Sequence, residues 1–187
     1  MHVVGLDISF RSTGVVSVTI GDDNSALLSS CFVIETEKNS TSEKVSATVD
    51  NIRRAQKIYR ELHEFLSEAK PDVIVVESQS WPRNSSSALK MALAWGAIAP
   101  LLEGIPLIEV SPQDIKMLAT GSRSASKQDV QKGVLNLVPS SAWVKQVVAS
   151  QIRTEGLQEH CYDALGAVLA AQRTEKYQLL RSALSRS

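Results

Sequence analysis

The chain has 187 residues, 43% of them hydrophobic and 21% charged, enough for one domain with a sizeable core. Twenty basic residues balance twenty acidic ones, so net charge neither points to nucleic acid nor excludes it, because a binding footprint is local. Cys31 and Cys161 fit no zinc spacing, no apolar segment is long enough to span a bilayer, and the start MHVVGLDIS lacks a signal-peptide pattern, so a cytoplasmic protein without a membrane span is expected.

Residues 2–9 read as a short buried strand running into polar residues. FRSTG is a turn, VVSVTI a second strand, GDDNS a hairpin loop and ALLSSCFVIET a third strand. Three strands with tight links predict an antiparallel meander. The period then changes. Val45, Val49, Ile52, Tyr59, Leu62 and Leu66 recur at helical spacing over residues 43–68, which predicts an amphipathic helix. DVIVVE is a strand with almost no polar interruption, expected to be parallel and covered on both faces. WPRNSSS is a polar loop. Residues 86–102 predict an apolar helix, either wholly buried or supporting a dimer. IPLIEV is a fifth strand. SPQDIKMLA opens a helix, with Ser111 as cap and Pro112 at the first position. GSRSAS is a loop, and KQDVQKGVLNLV and SSAWVKQVVAS are helical. EHCYDALGAVLAAQRTE is a long helix taken to begin at Glu159, and residues 173–187 form a weaker helical tail. No linker or repeat interrupts residues 1–187. The order predicts an α/β domain, a five-stranded mixed sheet with helices on both faces.

Two acids stand where strands end. Asp7 closes the apolar part of the first strand, and Glu77 closes the fourth. A charge buried there is costly unless it is paired or bound to a metal. If these strands are parallel neighbours, both carboxylates emerge at one sheet edge. His160 and Asp163, three residues apart, project from one face of the last long helix and can reach that edge. Three acids and an imidazole suit a hard cation, Mg²⁺ or Mn²⁺. Glu159 is a fallback ligand. Each residue alone also has an ordinary reading: Asp7 as a turn residue, Glu77 as a strand end, Asp163 as a solvated acid, His160 as a surface or core histidine.

These residues carry a resemblance. GLDISFRSTG resembles the first motif of RuvC-type Holliday junction resolvases of the RNase H-like superfamily, and VIVVESQSW resembles their second-acid strand. EVSPQDIKMLATGSRSASKQDVQKGVLNLV resembles their Pro-Lys, Thr-Gly and Ala-Ser-Lys region, and EHCYDALGAVLAA their closing motif. The resemblance runs over roughly residues 2–172 and implies an RNase H-like fold. It puts catalytic and metal-binding roles on Asp7, Glu77, His160 and Asp163, with two Mg²⁺ or Mn²⁺ ions per site and no nucleotide cofactor. It puts Lys116 near the scissile phosphate, with Arg123 and Lys127 on the DNA backbone. Arg83 and Lys90 are weaker DNA-binding candidates. Trp81 either stacks on an unpaired base or packs over the sheet edge. The implied activity is resolution of four-way DNA junctions by paired nicks, made by a homodimer. The alternatives are a nuclease acting on flaps or RNA–DNA hybrid, and a junction-binding protein without cleavage. The family's usual DPG opening is Asp7-Ile8-Ser9 here, and Trp81-Pro82 replaces its usual Phe. Such departures fit a divergent member, for example one encoded by a virus or prophage.

Overall fold

Strand alternation decides where each side chain goes. In β1 (His2–Asp7), Val3 packs on one face of the sheet, while Val4 and Leu6 pack on the other. In β4 (Val73–Glu77), Val73 and Val75 share the face of Val3, and Ile74 and Val76 take the opposite one. A strand buried on both sides needs apolar residues at every position, which explains the uninterrupted VIVV. The computed structural model describes residues 1–38, 45–78 and 84–185.

The sheet order is β3-β2-β1-β4-β5. β2 (Ser12–Ile20) and β3 (Ala26–Glu35) form the antiparallel meander with β1, while β4 and β5 (Leu107–Val110) run parallel to β1. The turn expected over FRSTG is tighter than its sequence implies. β2 begins at Ser12, because Ser12 already pairs with Glu35, and Asp7 pairs with Gly14. Hydroxyls close the turn. Ser9 Oγ accepts from the Ser12 amide at 3.0 Å and donates to its carbonyl at 2.9 Å, and Thr13 Oγ1 donates to the Ser9 carbonyl at 2.7 Å.

One face carries α1 (Ala47–Ala69) and α2 (Ser85–Ile98). The other carries α3 (Pro112–Thr120), α4 (Lys127–Leu137), α5 (Ser141–Gln151), α6 (Glu155–Ala171) and α7 (Glu175–Leu184). Ser46, Asn84, Ser111, Ser126, Ser140 and Thr174 each cap a helix start by accepting a backbone amide. Helix α6 lies across β1 and β2, and two glycines permit it. A Cβ on Gly14 would collide with the His160 backbone, and one on Gly5 would stand 2.7 Å from the Ala164 carbonyl.

Three expectations need correction. The helix around residues 43–68 buries Asp50, Arg54, Ile58, Leu62 and Leu66, whereas Val49, Ile52 and Tyr59 are exposed. The period is helical, but its first half turns a polar stripe inward, because Arg54 binds Phe10 in the β1–β2 turn and Thr36 just after β3. The segment 86–102 is not wholly buried. α2 buries only Ala94 and Ile98, and a 3₁₀ turn over Ala99–Leu102, with Pro100 in it, closes the segment. The last long helix begins at Glu155, so Glu159, His160 and Asp163 lie in its second and third turns rather than at its front. Attraction to the helix N-terminus therefore does not explain their presence. The C-terminal tail is firmly docked: Tyr177 is fully buried, and Arg181 Nη2 donates to the Gly21 and Asp22 carbonyls at 3.1 and 2.6 Å. No helix among the described residues is long and apolar enough to cross a membrane.

Candidate active site

Asp7 follows Val3 and Gly5 at even spacing, and Glu77 follows Val73 and Val75. Both carboxylates therefore project to the α6 face. β1 and β4 pair in parallel, Leu6 beside Val76, so the two acids leave neighbouring strands at the same edge. On α6, His160, Ala164 and Val168 form a ridge with a four-residue step, and this ridge meets Gly14 and Gly5. The ridge ends with His160 over the sheet edge, and Asp163 follows one turn on.

The contacts are specific. His160 Nδ1 lies 2.7 Å from Asp7 Oδ2. A carboxylate only accepts, so Nδ1 carries the proton and Nε2 is the free nitrogen. The hydrogen bond to Asp7 holds the imidazole above its ordinary pKa, against the opposing effect of burial. Burial, followed by repulsion from Asp7 and Asp163, pushes the Glu77 carboxyl up to about 7. Burial also raises Asp163, although Lys127 opposes it. Lys127, the first residue of α4, places its ammonium 3.2 Å from Asp163 and 3.1 Å from Glu159. Burial works to lower that ammonium, and the two acids outweigh it, so Lys127 is held above the usual lysine value. Glu77, Lys116, Lys127 and Asp163 line one cavity of about 250 Å³.

This set fits a divalent cation on two observations: three carboxyl groups repel one another at one edge, and an ammonium already stands between two acids. Among the described residues, however, no three His, Cys, Asp or Glu side chains stand close enough to enclose an ion as they are. The other expected residues divide. Lys116 stands beside the acids. Arg123 is exposed in the loop after α3, and Lys90 lines a groove on the opposite sheet face. Trp81 and Arg83 lie outside the described residues. Glu159, expected only as a fallback ligand, is bonded to Lys127 across α6 and α4, and Arg11, Lys38, Arg53 and Lys57, to which sequence reasoning assigned no role, line grooves on the α1 face. Arg53 and Lys57 share α1, but they meet Arg11 and Lys38 only in the fold, which no sequence spacing records.

A mixed five-stranded sheet of this order, with acids at the ends of two adjacent parallel strands and a third on the helix above them, defines an RNase H-like metal-dependent nuclease. The sequence profile of the crossover junction endodeoxyribonuclease RuvC family matches residues 3–152, and the chain belongs to that family. Family membership makes it a divalent-metal-dependent, structure-selective endonuclease acting on branched DNA. A RuvC from Chlorobium phaeovibrioides is 31% identical over 145 residues, 76% of this chain and 71% of its own. One from Hydrogenovibrio crunogenus is 28% identical over 174 residues, 92% of this chain and 87% of its own. Among solved structures, Thermus thermophilus RuvC in complex with a Holliday junction substrate superposes with a TM-score of 0.68 at 24% identity, covering 91% of this chain and 92% of that one. The profile match ends before α6, so the fold, rather than the profile, places His160 and Asp163 at the site.

Proposed function

We propose that this protein resolves four-way DNA junctions, and that Asp7, Glu77, His160 and Asp163 hold two Mg²⁺ or Mn²⁺ ions for the purpose. The observation that carries this reading is the His160–Asp7 contact at 2.7 Å, beside Glu77 on the adjacent strand. It joins α6, which carries Asp163, to the sheet edge that carries Asp7 and Glu77. Bound there, such ions supply positive charge to the phosphate oxygens and a more acidic water. The chain's own residues do the rest. Asp7 orients the imidazole and fixes its tautomer. Nε2 of His160 is left to hold the ion or to accept a proton from water. Lys116 steadies charge that grows on the scissile phosphate. Lys127 holds Asp163 in place and offers a cation to the backbone.

Two copies act together in this reading. Val49 (55% exposed), Ile52 (50%) and Leu89 (54%) are open to solvent on α1 and α2, and the small residues Ala92 and Gly96 continue the α2 face. A second copy covering these helices gives a two-fold dimer with one acid site per arm pair, suited to cutting two opposed strands. The reading also places the protein in the cytoplasm, consistent with the buried free thiols of Cys31 and Cys161.

The test is cleavage of a preformed four-way junction, a flap, duplex DNA and an RNA–DNA hybrid, by wild type and by Asp7→Asn. Paired, metal-dependent nicks on the junction, absent in the variant, are expected. Preferential cutting of the hybrid or the flap replaces the junction with that substrate, and full activity of Asp7→Asn removes the site.

A further inference from the structure

Beyond the acid site, positive charge gathers on the opposite face of the sheet. Arg11, Lys38, Arg53, Arg54, Lys57 and Lys90 line two contiguous grooves of about 400 and about 390 Å³, which share Thr36, Glu37, Lys38 and Arg54. Only two acids line them, Glu35 and Glu37. In a chain whose formal charge is zero, this is a marked segregation.

The floor of the grooves is built. Phe10 is 4% exposed and belongs with Leu6 and Ile8 to the α1-side core. The Arg54 guanidinium lies 4.4 Å over its ring. Arg54 donates to Thr36 Oγ1 at 2.9 Å, to the Thr36 carbonyl at 3.2 Å and to the Phe10 carbonyl at 3.4 Å. All three acceptors are neutral, and the Asp50 carboxylate one turn back on α1 offsets part of its charge. Above it, Arg53 is engaged by Asp50 at 2.9 Å, and Lys57 pairs with Glu61 at 3.5 Å. Arg11, Lys38 and Lys90 pair with no acid among the described residues.

Position links the grooves to the chemistry. Arg11 sits in the loop between β1 and β2, just beyond Asp7, and Lys38 follows the end of β3, where Glu35 pairs with Ser12. The loop therefore stands between the acids on the α6 side and the grooves on the α1 side. The cations come from four elements and are spread along the grooves rather than converging on one point. That spacing suits an extended polyanion better than a single small anion. Among the described residues that line them, the one aromatic ring is the buried Phe10, so the grooves offer no exposed ring for a base to stack on.

We propose that this groove is a second DNA-backbone site, which holds the strand that runs from the acids over the β1–β2 loop. It rests on the branched-DNA reading above and adds a path that the acid site alone does not supply. The groove grips phosphates without regard to sequence.

The test uses the full chain carrying Asp7→Asn, so that DNA is bound and not cut. Lys38→Ala with Lys90→Ala is compared with Lys38→Arg with Lys90→Arg. Fluorescence anisotropy on a labelled, preformed four-way junction is read across a range of salt concentrations. The alanine pair should reduce the slope of log K against log salt by about two units, and weaken binding at low salt roughly tenfold or more, as for two lost phosphate contacts. The arginine pair should retain the parent slope. Circular dichroism checks that all three proteins are folded. An unchanged slope in the folded alanine pair, with the parent still binding, sinks the groove alone. Failure of the parent to bind any branched DNA overturns the junction reading, and the groove falls with it.

Discussion

His160 is held by one bond, and that bond sets its chemistry. With Nδ1 donated to Asp7, the imidazole can act only through Nε2, and only when Nε2 is unprotonated. In the ion-free site Asp7 holds the imidazole above its ordinary value, so an ion or a water must compete with that proton, and the cleavage rate should show an acid limb. Below that limb, His160 carries a second proton and activity falls. His160→Asp should keep much of the activity and move the limb to lower pH, since a carboxylate ionises earlier and also binds cations. His160→Ala should lose most of it. A pH–rate profile under single-turnover conditions checks all three. An alanine variant that matches wild type in both Mg²⁺ and Mn²⁺ removes His160 from the site. Glu77 shows the cost of such a residue: a carboxyl pushed up to about 7 by burial and by two like charges destabilises the ion-free fold at neutral pH.

At the scale of elements, α1 and α2 carry the most informative mismatch between period and burial. α1 points Asp50 and Arg54 inward and leaves Val49 and Ile52 in solvent, while α2 leaves Leu89 exposed. Single exposed apolar residues are ordinary, and the proposed dimer would cover those of both helices. Ile52→Glu with Leu89→Glu should therefore convert a dimer to a folded monomer, because two buried charges on a two-fold axis meet their own copies. Sedimentation velocity reads the mass directly. A wild type that remains a monomer at micromolar concentration, or a variant that remains a dimer, assigns the face another role. The opposite arrangement holds at α6, where Gly5 and Gly14 replace side-chain volume with close backbone approach, and His160 is fixed over Asp7 as a result.

The whole molecule carries its site as a destabilising load in the ion-free state, and the pH dependence has one sign. Glu77 and Asp163 both have raised pKa values in the fold, so the folded chain keeps protons that the unfolded chain has released. For Glu77 the window runs from its ordinary 4.5 to about 7, and stability falls as pH rises through it. His160 adds to the trend: its bond to Asp7 stabilises fully below the unfolded value and is lost as pH rises through the raised one. The ion-free protein should thus lose about 1–2 kcal/mol between mildly acidic pH and pH 8, after allowance for partial solvent screening. Mg²⁺ or Mn²⁺ should recover more of that at pH 8 than at pH 5, because only ionised carboxylates bind it. Glu77→Gln should flatten the pH dependence. Thermal melts with and without the ion measure each effect, and an ion-free protein that gains stability toward pH 8 contradicts the electrostatics described for the site.

Much of this was legible in the chain itself. Val-rich runs of period two or without interruption identify β1 to β5, since burial on one or both faces leaves its mark residue by residue. Asp7 and Glu77 were visible because a charge at the end of an apolar run is expensive. His160 and Asp163 were visible as a same-face pair, and the motif resemblance joined all four. What the sequence could not decide was anything that depends on two distant segments meeting. Whether the stripe of Val49 and Ile52 or that of Asp50 and Arg54 turns inward is set by Phe10 in the β1–β2 turn and Thr36 just after β3. The bonds from Lys127 to Glu159 and Asp163 join α4 to α6, and the basic groove collects cations from a loop, a strand end and two helices. Periodicity records the local environment of one element, whereas charge pairing and groove formation are properties of several elements in contact, so only the tertiary structure fixes them.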